Sequence, residues 1–140
     1  MIKVNFVCHG NICRSPMAEF ILKKMAKDRG INISVSSSAT SYEEIGNDIH
    51  PGTKRVATHF EKEDYKNNDY ILCMDSYNIK NLKRIISSDP ENKVHLLLEY
   101  GKNTRDISDP WYTGNFDLTY DDIVEGCEGF LDYLAKNNLI

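Results

Sequence analysis

Residues 2–16, IKVNFVCHGNICRSP, place a strand pattern, a short loop and a helix start in direct succession. The apolar and β-branched side chains of residues 2–8 favour a strand. Ser15 and Pro16 are typical of a helix N-terminus, with a side-chain cap and a proline in the first turn. Apolar residues then repeat at helical spacing up to the next glycine, which predicts a helix over 16–29. The stretch therefore predicts a strand–loop–helix unit.

The rest of the chain alternates between strand and helix patterns in the same way. Strand patterns cover 33–38, 70–74 and 94–98, and helix patterns cover 76–87 and 119 to about 137, with a shorter helix within 52–67. Thr119 and Asp122 have the spacing of a capping box. Strands joined by crossovers of this length pair in parallel, with helices on both faces of the sheet. The sequence predicts an α/β fold, a three-layer sandwich with a central four-stranded parallel sheet, in a single domain over 1–140.

Composition excludes several classes of protein. The chain has 140 residues, 41% hydrophobic and 27% charged, which is typical of one globular domain and excludes intrinsic disorder. Its 17 Lys and Arg against 21 Asp and Glu give a net charge of -4, so we expect no nucleic-acid partner. No run approaches the roughly 20 apolar residues of a membrane span, and no signal peptide is recognisable. We therefore expect a cytoplasmic protein whose four cysteines are reduced thiols.

The loop at residues 8–15 carries the chemistry. A cysteine, five intervening residues, an arginine and then a hydroxyl would occur about 0.02 times by chance in such a chain. At a helix N-terminus the amides of 9–14 would point into one concavity suited to a dianion such as phosphate, and Gly10 would allow close approach. The same amides and Arg14 favour a thiolate at Cys8, while the Arg14 fork matches two phosphoryl oxygens. The loop predicts a cysteine nucleophile for phosphoryl transfer.

Such a reaction also needs an acid that protonates the leaving oxygen. Asp109 follows the fourth predicted strand and should lie at the same sheet edge as Cys8, with Asp106 as a rival carboxylate. Trp111 and Tyr112 would form an apolar wall for a planar aryl group. The alternative for Trp111 is a plug at the edge of the core.

Four segments resemble the low-molecular-weight protein tyrosine phosphatases: VCHGNICRSPMAE, SSSATS, KEDYKNNDYILCMD and DPWYTG. The resemblance covers nearly the whole chain and implies the phosphotyrosine phosphatase I-like fold and a phosphocysteine mechanism without metal or cofactor. It implies that Cys8 is the nucleophile, Arg14 the transition-state clamp and Asp109 the general acid and later base. The expected substrates are tyrosine-phosphorylated proteins or small aryl phosphates, with inorganic phosphate as an inhibitory product.

The resemblance also assigns roles to residues around the nucleophile. Substrate contacts are expected from the loop and from aromatic residues at its mouth, namely His9, Gly10, Asn11, Ile12, Cys13, Ser15, Tyr42, Trp111 and Tyr112. Asn11, Ser15 and Ser37 match the polar residues that hold the loop and stabilise the thiolate. Cys13 matches the family's second loop cysteine. Because the loop wraps around one anion, Cys13 should approach Cys8 closely enough to form a reversible disulfide on oxidation.

Two positions near the pocket depart from the family pattern. His9 stands where leucine or threonine is more usual, directly beside the nucleophile. Glu43 aligns with an aromatic gate residue, which the adjacent Tyr42 could replace. Substrate preference should therefore depend on how His9 and Tyr42 are placed.

A third departure is a gap in the middle of the chain. Between HPGTKRV (50–56) and KEDY (62–65) the family has several more turns of chain, including a His-x-Ala whose histidine joins the polar network. His59 does not align with that histidine, and we expect it to be a plain surface residue. Either the second helix is truncated or a segment is missing from the sequence.

Two other functions remain as alternatives, and a metal site is a further interpretation of the loop. A thiol-dependent arsenate reductase uses a similar loop but needs resolving cysteines, and only Cys73 and Cys127 remain, both on apolar elements. A phosphotyrosine-binding module with little turnover would keep the anion loop. Zinc ligation by Cys8, His9 and Cys13 is disfavoured because the spacing lacks the usual paired ligands.

Overall fold

The first strand lies inside the sheet, and its residues from Val4 to Cys8 are buried. A computed structural model of the chain describes residues 1–11, 13–42 and 58–140. The strands in these ranges are β1 (Ile2–Cys8), β2 (Ile33–Ala39), β3 (Tyr70–Cys73) and β4 (Val94–Leu96). They form one parallel sheet in the order β2-β1-β3-β4. The predicted four-stranded parallel sheet is confirmed.

Helices cover both faces of this sheet. They are α1 (Arg14–Asp28), α2 (Lys62–Asn67), α3 (Ser76–Ile86), α4 (Pro110–Thr113) and α5 (Phe116–Lys136), with a 3-10 helix at Leu97–Tyr100. Alternate residues of β1 point to opposite faces. Val4 and Phe6 pack into the core with α1 and α5, whereas Val7 packs into the core with α3. The three-layer α/β arrangement predicted from the sequence is confirmed.

Helix α1 starts two residues earlier than predicted. It begins at Arg14, and Cys13 at the N-cap position makes no side-chain capping bond. The predicted Ser15 cap is wrong, because the Ser15 hydroxyl contacts the Cys8 sulfur instead. The side chain suited to capping is therefore used by the loop.

Helix α5 also starts earlier than predicted, at Phe116, because the Asn115 side chain accepts a hydrogen bond from the Leu118 amide. The predicted capping box at Thr119 is wrong. Thr119 instead donates its hydroxyl hydrogen to the Ser108 carbonyl, and Asp122 pairs with Arg105. Both side chains join α5 to the segment that precedes it.

The region between β2 and β3 contains one short described helix. Of the predicted 52–67 helix, residues 58–67 are described, and only Lys62–Asn67 are helical, begun by Glu61 with a capping box. The prediction is wrong for residues 58–61, where His59 instead forms an isolated parallel bridge with Ala39. Ile12 and residues 43–57, which include Glu43, lie outside the described residues. Within the part of the chain that the structure describes, no helix has both the length and the apolar character to cross a bilayer.

Strand β2 is rich in serine, yet its buried hydroxyls have partners. Ser38 donates to the Asn5 side-chain oxygen, and the Asn5 amide donates to Ser36, both over 2.8 Å. Ser37 points to the opposite face, towards the loop that follows β1. Buried polar groups are tolerated when they are hydrogen-bonded, so this polar strand can lie beside β1.

Candidate active site

The loop that follows β1 is fixed by the segment that follows β2. The Thr40 amide donates to the Cys8 carbonyl over 3.1 Å, and the Ser41 amide donates to the His9 carbonyl over 3.0 Å. In a parallel sheet the carboxyl ends of neighbouring strands share one edge, which is where ligands bind in such folds. The predicted loop therefore starts from a well-anchored position at that edge.

The Cys8 sulfur is buried and faces two hydrogen-bond donors. The Asn11 amide donates to it over 3.2 Å, and the Ser15 hydroxyl oxygen lies 3.0 Å away. The Ser15 oxygen accepts from the Asn11 side-chain amide over 2.8 Å, which leaves the hydroxyl hydrogen available to the sulfur. This arrangement suits a negatively charged sulfur.

Asn11 holds the loop in an unusual conformation. Its φ is 56°, in the left-handed region that asparagine tolerates better than most residues. Its side-chain amide donates to both Ser15 and Ser37, and its side-chain oxygen accepts from the Thr58 amide over 3.1 Å. These bonds hold the backbone where the Asn11 amide reaches the sulfur.

A buried carboxylate orients this network. Ser37 donates to Glu19 over 2.7 Å, because an ionised carboxylate only accepts hydrogen bonds. The Ser37 oxygen can then accept from Asn11 over 2.8 Å. Glu19 also pairs with Lys23 over 2.6 Å. Sequence analysis did not single out Glu19, although its position four residues after Ser15 on α1 places it on the same helix face.

Arg14 is buried and is held by three groups from other segments. One guanidinium nitrogen donates to Asp75 over 2.7 Å and to the Ile107 carbonyl over 2.8 Å. The other terminal nitrogen lies 3.6 Å from the Asp109 carboxylate. The second oxygen of Asp75 accepts from the Asn78 amide and caps α3. Asp75 was missed by sequence analysis, although it lies two residues after the end of β3 and therefore at the same sheet edge as Asp109.

The structure separates the two rival carboxylates. Asp109 lies beside Arg14 and accepts from the Trp111 amide over 3.0 Å at the start of α4. Asp106 accepts from both the amide and the hydroxyl of Ser76. Trp111 and Tyr112 are highly exposed, so the alternative placement of Trp111 as a core plug is wrong.

The prediction for His59 as a plain surface residue is wrong. Its side chain is largely buried, with Nε2 3.2 Å from the Thr40 carbonyl and Nδ1 3.3 Å from Glu61. Its ring stacks on Tyr42 at a centroid distance of 3.7 Å and an interplanar angle of 4°. His9, by contrast, is exposed. The stack places Tyr42 beside the strand end that anchors the loop.

The four cysteines occupy two kinds of environment, and all are present as thiols in the described part of the chain. Cys8 and Cys13 bracket the loop. Cys73 and Cys127 are fully buried in the core, and burial raises the pKa of each thiol well above its ordinary value. Nearby Asp75 adds to the effect at Cys73, and nearby Glu128 adds to it at Cys127.

Comparison with known protein families shows which family has this sequence. The sequence model of the low molecular weight phosphotyrosine protein phosphatases matches residues 3–139. The chain belongs to this family. The family is the one that the sequence motifs resemble, and the chain is therefore a protein-tyrosine phosphatase.

Relatives of the phosphatase support the same conclusion. The low molecular weight protein-tyrosine-phosphatase PtpA of Staphylococcus aureus is 37% identical, over 98% of this chain and 96% of the relative. That alignment has 151 positions against the 140 residues of this chain, so the relative carries residues that this phosphatase lacks.

Solved structures also resemble the phosphatase, in both fold and sequence. YfkJ from Bacillus subtilis superposes with a TM-score of 0.91 and 35% identity, over 98% of this chain and 96% of that one. A low molecular weight protein tyrosine phosphatase from Streptococcus pyogenes gives 0.80 and 38%, over 97% and 93% of the two chains.

Proposed function

We propose that the phosphatase hydrolyses phosphotyrosine on proteins and other aryl phosphate monoesters through a phosphocysteine intermediate on Cys8. The observation that carries this proposal is that three groups lie together at the loop. They are the Cys8 sulfur with its two hydrogen-bond donors, the buried Arg14 guanidinium, and the Asp109 carboxylate beside Arg14. A nucleophile, a cation for phosphoryl oxygens and an acid are the three groups that such a displacement requires.

In the first step the Cys8 thiolate attacks phosphorus, a sulfur–phosphorus bond forms and the bond to the aryl oxygen breaks. Asp109 gives its proton to the leaving phenolate oxygen. In the second step the Asp109 carboxylate takes a proton from water, whose oxygen attacks phosphorus and releases the thiolate and inorganic phosphate. Arg14 stabilises the charge on the phosphoryl oxygens in both steps.

Aryl esters fit this site better than alkyl esters. A phenol has a pKa of about 10 and leaves more readily than an alcohol. The exposed Trp111 and Tyr112 and the stacked Tyr42 offer apolar faces for a planar ring. The nucleophile lies buried at the base of the loop, which favours a long side chain such as phosphotyrosine. Inorganic phosphate should bind the same loop and inhibit.

The alternatives from sequence analysis receive less support. A thiol relay for arsenate reduction would have to use Cys73 or Cys127, and the burial that raises the pKa of both thiols opposes their reaction. A binding module would take up phosphotyrosine without releasing phosphate. Because the mechanism needs a reduced Cys8, we place the enzyme in a reducing compartment such as the cytoplasm. We also propose that residues 1–140 form a single catalytic domain.

The test of the proposal is to trap the intermediate. The phosphatase is mixed with para-nitrophenyl phosphate, quenched with acid within the first turnovers and digested. We expect phosphorus on the peptide that contains Cys8. Turnover with no phosphorylated cysteine, or phosphorus on another residue, would contradict the mechanism.

Replacing Asp109 with asparagine should slow turnover according to the leaving group. For phenyl phosphate we expect a loss of about 10²–10³-fold, because the phenolate leaves without a proton. For para-nitrophenyl phosphate the loss should be much smaller, because nitrophenolate needs little protonation. Steady-state kinetics with both esters measure the difference. Asp106→Asn is the matched control and should have a mild effect; an equal loss on both esters for Asp109→Asn would rule out the acid role.

Oxidation should inactivate the phosphatase reversibly through Cys13. Peroxide is expected to oxidise Cys8 to a sulfenic acid, which the Cys13 thiol converts to a disulfide with release of water. A dithiol should then restore activity by exchange, and bound phosphate should protect. In Cys13→Ser oxidation should become irreversible. The measurement is activity after peroxide and then dithiol, with disulfide mapping; full recovery of Cys13→Ser, or a disulfide through Cys73, would refute this role.

A further inference from the structure

Aromatic side chains are concentrated on the surface beside the candidate site. Trp111 and Tyr112 on α4 are 74% and 83% exposed, and Phe116 and Tyr120 on α5 are 53% and 51% exposed. Large exposed apolar side chains in one short stretch of chain mark interaction surfaces more often than single scattered ones do. The first two belong to the proposed substrate pocket, but the second two have no role in the chemistry.

Phe116 and Tyr120 lie on one face of α5, because residues four apart are neighbours on a helix. Asp117 and Asp121 follow them around the same helix and are exposed. No ion pair joins either acid to another described residue. We call these four residues, Phe116, Asp117, Tyr120 and Asp121, the α5 ridge. It combines apolar rings with negative charge.

The ridge is connected directly to the Asp109 segment. Thr119, which lies between Phe116 and Tyr120 in sequence, is buried and donates its hydroxyl hydrogen to the carbonyl of Ser108. Helix α4 then leads from Asp109 through the left-handed Gly114 to the start of α5. The ridge therefore follows Trp111 and Tyr112 directly along the chain, and the hydrogen bond from Thr119 holds its helix against the segment that carries Asp109.

We propose that the α5 ridge docks the segment of a phosphoprotein substrate that flanks the phosphotyrosine, and that it selects apolar and basic flanking residues. This inference rests on the proposed phosphotyrosine activity and extends it to sequence preference. An extended peptide advances about 3.3 Å per residue, so side chains a few positions from the phosphotyrosine reach beyond the pocket mouth. The rings would cover apolar side chains, and Asp117 and Asp121 would attract lysine or arginine.

The test compares three substrates: para-nitrophenyl phosphate, a phosphotyrosine peptide flanked by leucine and lysine, and one flanked by glycine and glutamate. The unmodified phosphatase should favour the leucine–lysine peptide by about tenfold in kcat/KM, mainly through KM. The double variant Phe116→Ala with Tyr120→Ala should lose at least about fivefold on that peptide and nothing on para-nitrophenyl phosphate. The double variant Asp117→Lys with Asp121→Lys should shift the preference towards the glutamate peptide.

Phe20→Ala supplies the matched control, since Phe20 is 74% exposed on α1, outside the ridge. It should leave all three activities unchanged. Equal losses on the peptides and on para-nitrophenyl phosphate would indicate a disturbed active site and overturn the docking role, as would an unchanged peptide preference. If the ridge variants instead abolish self-association without a change in peptide kinetics, the surface belongs to a second copy of the chain and the proposal is wrong. Failure to hydrolyse either peptide, with para-nitrophenyl phosphate still consumed, would contradict the phosphotyrosine assignment itself.

Discussion

Cys8→Ser is expected to lower turnover of para-nitrophenyl phosphate by about 10⁴-fold or more. A serine hydroxyl keeps its proton at neutral pH, and the loop offers donors rather than a base that could remove it. The sulfur would thus be replaced by a much weaker nucleophile while the surrounding amides stay in place. Steady-state kinetics at saturating substrate measure the loss.

The same variant should still bind phosphate. The anion contacts expected from the loop amides and from Arg14 do not depend on the sulfur, and the bonds that hold Arg14 come from Asp75 and Ile107. Calorimetric titration with inorganic phosphate should give an affinity similar to that of the unmodified phosphatase. Substantial turnover by Cys8→Ser would disprove the nucleophile assignment, and loss of phosphate binding would disprove the separation of binding from attack.

Arg14→Ala should reduce turnover by about 10³-fold or more, because no other described side chain replaces its planar fork at the developing charge. Unlike Cys8→Ser, this change should also weaken phosphate binding. Arg14→Lys should recover little activity, since an ammonium cannot bond Asp75, the Ile107 carbonyl and two phosphoryl oxygens in the observed geometry. Steady-state kinetics measure the loss of turnover, and titration with inorganic phosphate measures the loss of binding.

Removal of Arg14 also leaves Asp75 without its ion-pair partner, so the variant could lose activity by unfolding. Asp75→Asn separates these effects. It keeps the cation and removes one of its anchors, and we expect a moderate fall in kcat with the melting temperature little changed. Near-normal kcat for Arg14→Ala in a folded protein would overturn its role in the transition state.

The fold could be predicted largely from local patterns. Short apolar runs separated by amphipathic helices require parallel pairing, and the order of elements along the chain follows from those periods. Helix starts were less predictable, because the same polar side chain can serve two purposes. Ser15 and Thr119 both have the character of caps, yet one contacts the Cys8 sulfur and the other donates to Ser108. Capping competes with such tertiary contacts, and here the tertiary contacts are formed.

The sequence by itself determined the strand–loop–helix unit, because the residues from Cys8 to Arg14 are adjacent and their spacing is a local property. It also placed Asp109 at the correct edge, since parallel strands share that edge whatever their side chains do. Only the tertiary structure decided that Asp75 and the Ile107 carbonyl hold Arg14, and that His59 is buried against Tyr42. These contacts join residues far apart in the chain, and their formation depends on side-chain geometry that no periodicity records.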